Sequence, residues 1–416
     1  MTPELRDLIA PGAGVWWSQT SAEPTPLVHA LLDLAPELVD VTAFIGMTWD
    51  KRVATQLPPQ IRALSYGALG DLRHLSAAGR LEVVPCHFSN LPRLFAQGRL
   101  PHDVGLIQVS PPDADGNCSL GTGVDYVADA IAHTPVLIAE VNHQMPATVG
   151  SVRLPLSRFA ATVETDRPLL QAPERSPGAV ELAIAGHVAD LVEDGDTIQV
   201  GVGVIPSAIL DALSGHRDLG LHSGLISDPV LRLVQAGALT GARKEIDPGM
   251  MVTGAALGST ELYACLGDLP VQFRPVSYTH APTTLARLRS LVSINSAIEV
   301  DLTGQAGSEV RGTTYVGAIG GQTDFSRAAA QTGARSIIVL PATSKGKSTI
   351  KAHLEFGAMS TSRADIDVVV TEHGAAHLTG CSLPERARRL IEVAAPEHRE
   401  QLERSAQVDR AAVPTR

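Results

Sequence analysis

Short apolar runs alternate along the chain with longer stretches whose apolar positions recur every three or four residues. Asp103–Val109, Pro135–Val141, Thr197–Val200, Ser336–Leu340 and Asp365–Thr371 read as strands. Leu27–Leu34, Ala179–Val192, Pro206–Leu213 and Pro384–Ala394 carry the helical period. Strands spaced by helices predict parallel sheets with crossover connections. The pattern also repeats. A glycine-rich segment at Gly12–Trp17, then Pro24 and a helical stretch, is matched by Gln199–Pro206 and its helical stretch. Glu82–Phe88 echoes Gln272–Tyr278, Gly105–Asn117 echoes Ser296–Gln305, and Gly121–Tyr126 echoes Gly320–Phe325, in the same order. The expectation is two similar, open, mostly parallel α/β domains over residues 1–175 and 180–416. The turn formers of Ala172–Gly178 join them.

Composition narrows the function. Of 416 residues, 33 are basic and 44 acidic, a net charge of −11, and only 3 Trp, 5 Tyr and 7 Phe are present. That balance offers neither the basic face nor the stacking platform of a nucleic-acid binder. The longest stretch free of Asp, Glu, Lys and Arg is Leu8–Ala22, too short for a span of about 20 residues, so no membrane partner is expected. The opening MTPELRD does not resemble a signal peptide, and Cys86, Cys118, Cys265 and Cys381 form no CxxC pair. The expectation is a cytoplasmic protein with no disulfide framework and no metal site.

Three loops are built for chemistry. Gly201 and Gly203 fall between a predicted strand ending at Val200 and a helix beginning at Pro206, where backbone N–H groups approach an anion closely. The spacing is not GxGxxG and no Walker lysine follows, so the loop serves equally as a tight turn. Gly320 and Gly321 precede a helical run in which Asp324 is placed like an N-cap. Lys345 and Lys347 flank Gly346 in a hydroxyl-rich loop suited to phosphate or to plain exposure. His222, Ser223 and Asn295 lie in polar clusters beside apolar runs. No GxSxG elbow and no HExxH helix is present.

Taken together, Ile107–Gly121, Glu140–Pro146, Val292–Gln305, Gly320–Phe325 and Val370–Gly374 resemble the acetyl-CoA hydrolase/transferase family, over about Pro11 to Arg399. The resemblance implies acyl-CoA bound in a cleft between two α/β domains, no cofactor beyond the CoA of the substrate, and a homo-oligomer. It also implies a glutamate nucleophile that forms a glutamyl-CoA thioester in a ping-pong cycle. Gly320 or Gly321 would then serve the oxyanion, Asn295 would orient the site, Gly201 and Gly203 would line the cleft, and Lys345 and Lys347 are placed on charge near the CoA phosphates. One departure governs the rest: where the family writes His-Thr-Glu, this chain reads His222-Ser223-Gly224. Glycine cannot form the thioester. The first expectation is therefore thioester hydrolysis or acyl transfer without a ping-pong intermediate, to water, a carrier-protein thiol or an amine. His222 or Glu140 would be the base, with Ser223 as a second nucleophile. The alternatives are CoA transfer to a carboxylate acceptor through another carboxylate, Glu140 or Glu299, and a binder of acyl-CoA without chemistry. Acyl-chain identity is not readable from the sequence.

Overall fold

The structure, a computed structural model, describes residues 2–172, 175–355 and 357–412. Two open sheets form its frame. The first runs Leu81–Val83, Ile61–Ser65, Val41–Phe44, Gly14–Trp17, Val104–Val109, Val136–Asn142 and Ala161–Thr165, and every neighbouring pair is parallel. The second runs Gly220–Leu221, Thr197–Val200, Leu291–Ser296, Arg335–Val339, Val368–Thr371 and Gly374–His377, and only the last pair is antiparallel. The protein is thus a two-domain, mostly parallel α/β structure with a cleft between the domains.

Sheets covered on both faces need side chains that are apolar in both directions. Trp16 and Trp17, adjacent in one strand, enter separate cores on opposite faces of the first sheet, and both are buried. The core that holds Trp16 continues through Tyr126 and Phe88 into the second domain, where it takes in Ile198, Ile294 and Ile337. The other face of the second sheet packs Ile338 and Val369 on Leu390 and Ile391 of the helix Leu383–Glu392.

The predicted strands fall on observed ones within three residues. The sequence places the second-domain helix start at Pro206; the structure opens that helix at Val204, with Gly203 at its N-cap and φ +128°. That backbone is open to glycine and strained for any other residue. Pro206 sits inside the first turn, where its missing N–H costs nothing. The Gly105/Ser296 echo is out of register. Val104–Val109 occupies the sheet position of Leu291–Ser296, whereas Glu299–Asp301 belongs to a separate three-stranded sheet. Pro173 and Glu174 of the expected linker lie outside the described residues; Arg175–Gly178 are in no helix or strand.

The domains are joined by backbone pairing. Ala68 N–H donates to Gly317 O at 2.8 Å and Phe88 N–H to Gly320 O at 2.9 Å. Asp324 is not the N-cap of its helix, Gln322–Thr332; Gly321 is. The Asp324 carboxylate instead reaches across the seam, accepting from Ser89 N–H at 3.0 Å and Ser89 Oγ–H at 2.6 Å. Burial pushes its pKa up to about 6 even so. Ser89→Ala removes a donor from this carboxylate. It is expected to cost about 1–3 kcal/mol, read as a lower melting temperature.

Candidate functional site

In an open parallel sheet, ligands bind beyond the carboxyl ends of the strands, where the strand order reverses. In the first sheet the reversal lies between Gly14–Trp17 and Val104–Val109, and in the second between Thr197–Val200 and Leu291–Ser296. Chain leaving these strand ends meets in one cavity of about 170 Å³. Gln19 and Thr20 come from the first reversal, and Gly201, Val202 and Asn295 from the second. Asp125, Phe88, Ser223, Gly224, His280, Gly320, Gly321 and Phe325 complete most of the wall.

The wall is held by main-chain bonds across the seam. Gly224 O accepts from Gly254 N–H and Ala255 N–H, both at 3.1 Å. Gly254 O in turn accepts from Val124 N–H at 3.0 Å and Asp125 N–H at 2.9 Å. Asp125 is the one carboxylate among the lining residues. Its Oδ2 accepts from Gln19 Nε2 at 2.7 Å, and burial raises its pKa to about 6. Gln19 Oε1 is filled by Met47 N–H at 2.8 Å and Tyr66 O–H at 2.9 Å. At the other side, Asn295 Nδ2 donates to Gln199 Oε1 at 3.0 Å and Ser293 Oγ at 2.9 Å.

Gly224 has no side chain, and the space beside it is taken. A Cβ there would stand 2.9 Å from His280 Cε1 and 3.1 Å from Nε2. A Cβ on Gly321 would stand 2.5 Å from the same Nε2. The imidazole cannot swing away cheaply. It lies edge-on between Phe88, with centroids 5.0 Å apart, and Phe325, at 4.8 Å, and its Nδ1 pairs with Thr279 Oγ1 at 2.8 Å.

The structure separates the residues expected from sequence. Ser223, Gly224, Asn295, Gly201, Gly320 and Gly321 line the cavity. His222, Gly203, Glu140, Lys345 and Lys347 are not among the lining residues. His222 is wholly buried, with Nε2 on Thr279 O at 2.9 Å. A carbonyl only accepts, so Nε2 carries the proton, and Nδ1 is buried without a partner. Burial lowers the His222 pKa to about 4, leaving a neutral, packed ring. Ser223 Oγ–H donates to Val200 O at 3.1 Å. Glu140 is wholly buried in the first sheet, clamped by Arg167 Nε at 2.7 Å and Nη2 at 2.8 Å. Gly201 N–H is spent on Ile294 O at 3.2 Å, continuing the sheet. Lys345 and Lys347 are exposed at the tip of the hairpin Thr343–Ser348. Gln19, Asp125 and His280 were missed. Asp125 had a signal, as the repeat partner of Asp324; His280, two residues beyond the Tyr278 echo, had none.

Two family models match: the acetyl-CoA hydrolase/transferase N-terminal domain over residues 1–167 and the C-terminal domain over residues 258–406. The chain is 40% identical to the 4-hydroxybutyrate coenzyme A transferase of Clostridium kluyveri, over 93% of this chain and 92% of that one. Among solved structures, RipA from Yersinia pestis superposes with a TM-score of 0.92 at 32% identity, covering 98% of this chain and 97% of that one. The 4-hydroxybutyrate CoA-transferase of Porphyromonas gingivalis gives 0.81 at 33%, covering 99% and 96%. The chain belongs to the acetyl-CoA hydrolase/transferase family, and as a member of that enzyme family it processes acyl-CoA thioesters. Among the described residues no helix is long and apolar enough to cross a membrane.

Gly224→Ala is expected to cost about 1–3 kcal/mol, because its methyl group meets a caged ring. Most of the loss should vanish in Gly224→Ala/His280→Ala, and a double-mutant cycle on melting measures that coupling. Glu140→Gln is expected to lower stability by no more than about 3 kcal/mol, since Arg167 is partly exposed, and to leave turnover unchanged.

Proposed function

We propose that the protein hydrolyses acyl-CoA thioesters directly, without a glutamyl-CoA intermediate. The observation that carries this is Gly224. The resemblance implies the glutamate nucleophile of the ping-pong transferases at this position; here it holds no side chain, and an imidazole fills the room beside it. The remaining wall suits addition to a thioester. The N-terminus of the helix Gln322–Thr332 opens at Gly321, and its first amides have no intrahelical acceptor. Donors aimed at a developing oxyanion are worth about 10²–10³ in rate each. Water then adds to the carbonyl, the oxyanion forms against these amides, and the C–S bond breaks to release CoA.

A second reading has one observation behind it. Asp125 is the one carboxylate on the cavity wall, so CoA transfer through a replacement nucleophile would pass through Asp125 rather than Glu140 or Glu299. Its short side chain is tied to Gln19 and to the backbone N–H of Val127 at 3.3 Å.

Thiol release from a panel of acyl-CoAs, with and without acetate or succinate, separates the two. Hydrolysis predicts thiol without acceptor and no inactivation when borohydride follows acyl-CoA. New acyl-CoA appearing only with a carboxylate, or a borohydride-reduced Asp125 found by mass spectrometry, overturns the hydrolytic reading. Gly224→Glu/His280→Ala, which supplies a carboxylate and the room for it, is expected to gain CoA transfer to acetate. Gly224→Glu alone should not.

A further inference from the structure

His280 is the buried imidazole on the cavity wall, and no motif assigns it. It is 3% exposed, and its Nδ1 pairs with the Thr279 hydroxyl. The Thr279 hydroxyl has one proton, and Pro275 O, 3.2 Å away, can only accept it. With that proton on Pro275 O, the hydroxyl oxygen accepts Nδ1–H from His280 at 2.8 Å and Nε2 keeps its lone pair, the tautomer in which Nε2 can take a proton. The edge of the ring that carries Nε2 faces both glycines of the wall: a Cβ on Gly321 would stand 2.5 Å from Nε2, and one on Gly224 would stand 3.1 Å from Nε2 and 2.9 Å from Cε1.

Resting on the hydrolytic reading above, we infer that His280 is the proton-transfer group of this cleft. Its Nε2 takes a proton from the attacking water and returns it to the leaving thiolate. In the first step the water oxygen bonds to the thioester carbon, one water O–H breaks with its proton going to Nε2, and the carbonyl π pair moves onto oxygen. In the second step that pair reforms the carbonyl, the C–S bond breaks, and Nε2–H passes its proton to sulfur. The products are the free acid and the CoA thiol, and the imidazole is unchanged.

Between Phe88 and Phe325, with His222 as a further titratable neighbour, burial holds the ring neutral, its pKa pushed down to about 3. The base is thus unprotonated throughout the neutral range. Imidazolium forms only together with the oxyanion, and two opposite charges created side by side in a dry cleft attract strongly. That attraction exists in the transition state and not in the resting enzyme, which is where catalysis requires it.

The test measures thiol release and the thermal shift given by acyl-CoA on wild type, His280→Gln and His280→Ala. Gln keeps volume and a partner for Thr279 but cannot carry the proton. The expected result is a fall in kcat of about 10²- to 10⁴-fold in both variants, with the thermal shift retained, and recovery of the Ala variant by added imidazole. Wild type that releases thiol, alongside a His280→Gln protein within a few-fold of its rate, overturns the role of His280 and leaves hydrolysis standing. Wild type that releases no thiol without a carboxylate overturns the hydrolytic reading and this inference together. Should the Ala variant melt too low to assay, the Gln variant decides.

Discussion

The site depends on a short backbone pairing between the two domains. The N–H of Phe88 bonds to Gly320 O, and Ser89 bonds twice to Asp324. These contacts hold the Gly320–Gly321 turn at the helix start and carry the Phe88 ring to the cavity wall. Together with the bonds from Val124 and Asp125 N–H to Gly254 O, they set the two strand reversals face to face. Both domains contribute wall to a cavity that neither could close alone.

On that frame, side-chain volume decides which groups fit at the cavity wall. A residue larger than glycine at 224 and the imidazole of His280 compete for one space, and so does a residue larger than glycine at 321. The ring is caged by Phe88 from one domain and Phe325 from the other, so its position is a property of the closed seam. The same cage disfavours imidazolium. Position and neutrality thus share one cause: aromatic packing at the junction.

Much of the frame was legible in the sequence because it is local. Thr197–Val200 is a strand as the apolar run predicts, and the helix Thr25–Leu34 follows its proline. The Gly121/Gly320 echo marks two helix starts that both reach the site. What the sequence hid was set by tertiary contact. Glu140 sits in a family-like motif, yet its chemistry is absorbed by Arg167 from the neighbouring chain segment. His222 stands two residues before Gly224 in sequence and points into the protein instead, toward Thr279 O. The false register of Ser296 on Gly105 arose because both segments alternate apolar and polar residues, a pattern that does not say which sheet a strand joins.

Asp125 and His280 frame the remaining question of mechanism, because both pack against the Gly224 turn. Asp125 Cβ lies beside Gly254, whose N–H holds Gly224 O, while His280 abuts the α-carbon side of Gly224. A carboxylate nucleophile needs a free oxygen and a chain long enough to reach the carbonyl. Asp125 has one oxygen on Gln19 and the other on a backbone amide, at the start of its own helix Asp125–Ile131. His280 has its inner nitrogen anchored and its outer nitrogen toward the glycines. The first arrangement restrains a group; the second presents one. The bare α-carbon at 224 and the imidazole of His280 therefore belong to one piece of packing, and on the hydrolytic reading the cleft offers a proton acceptor where a covalent acceptor would need the same room.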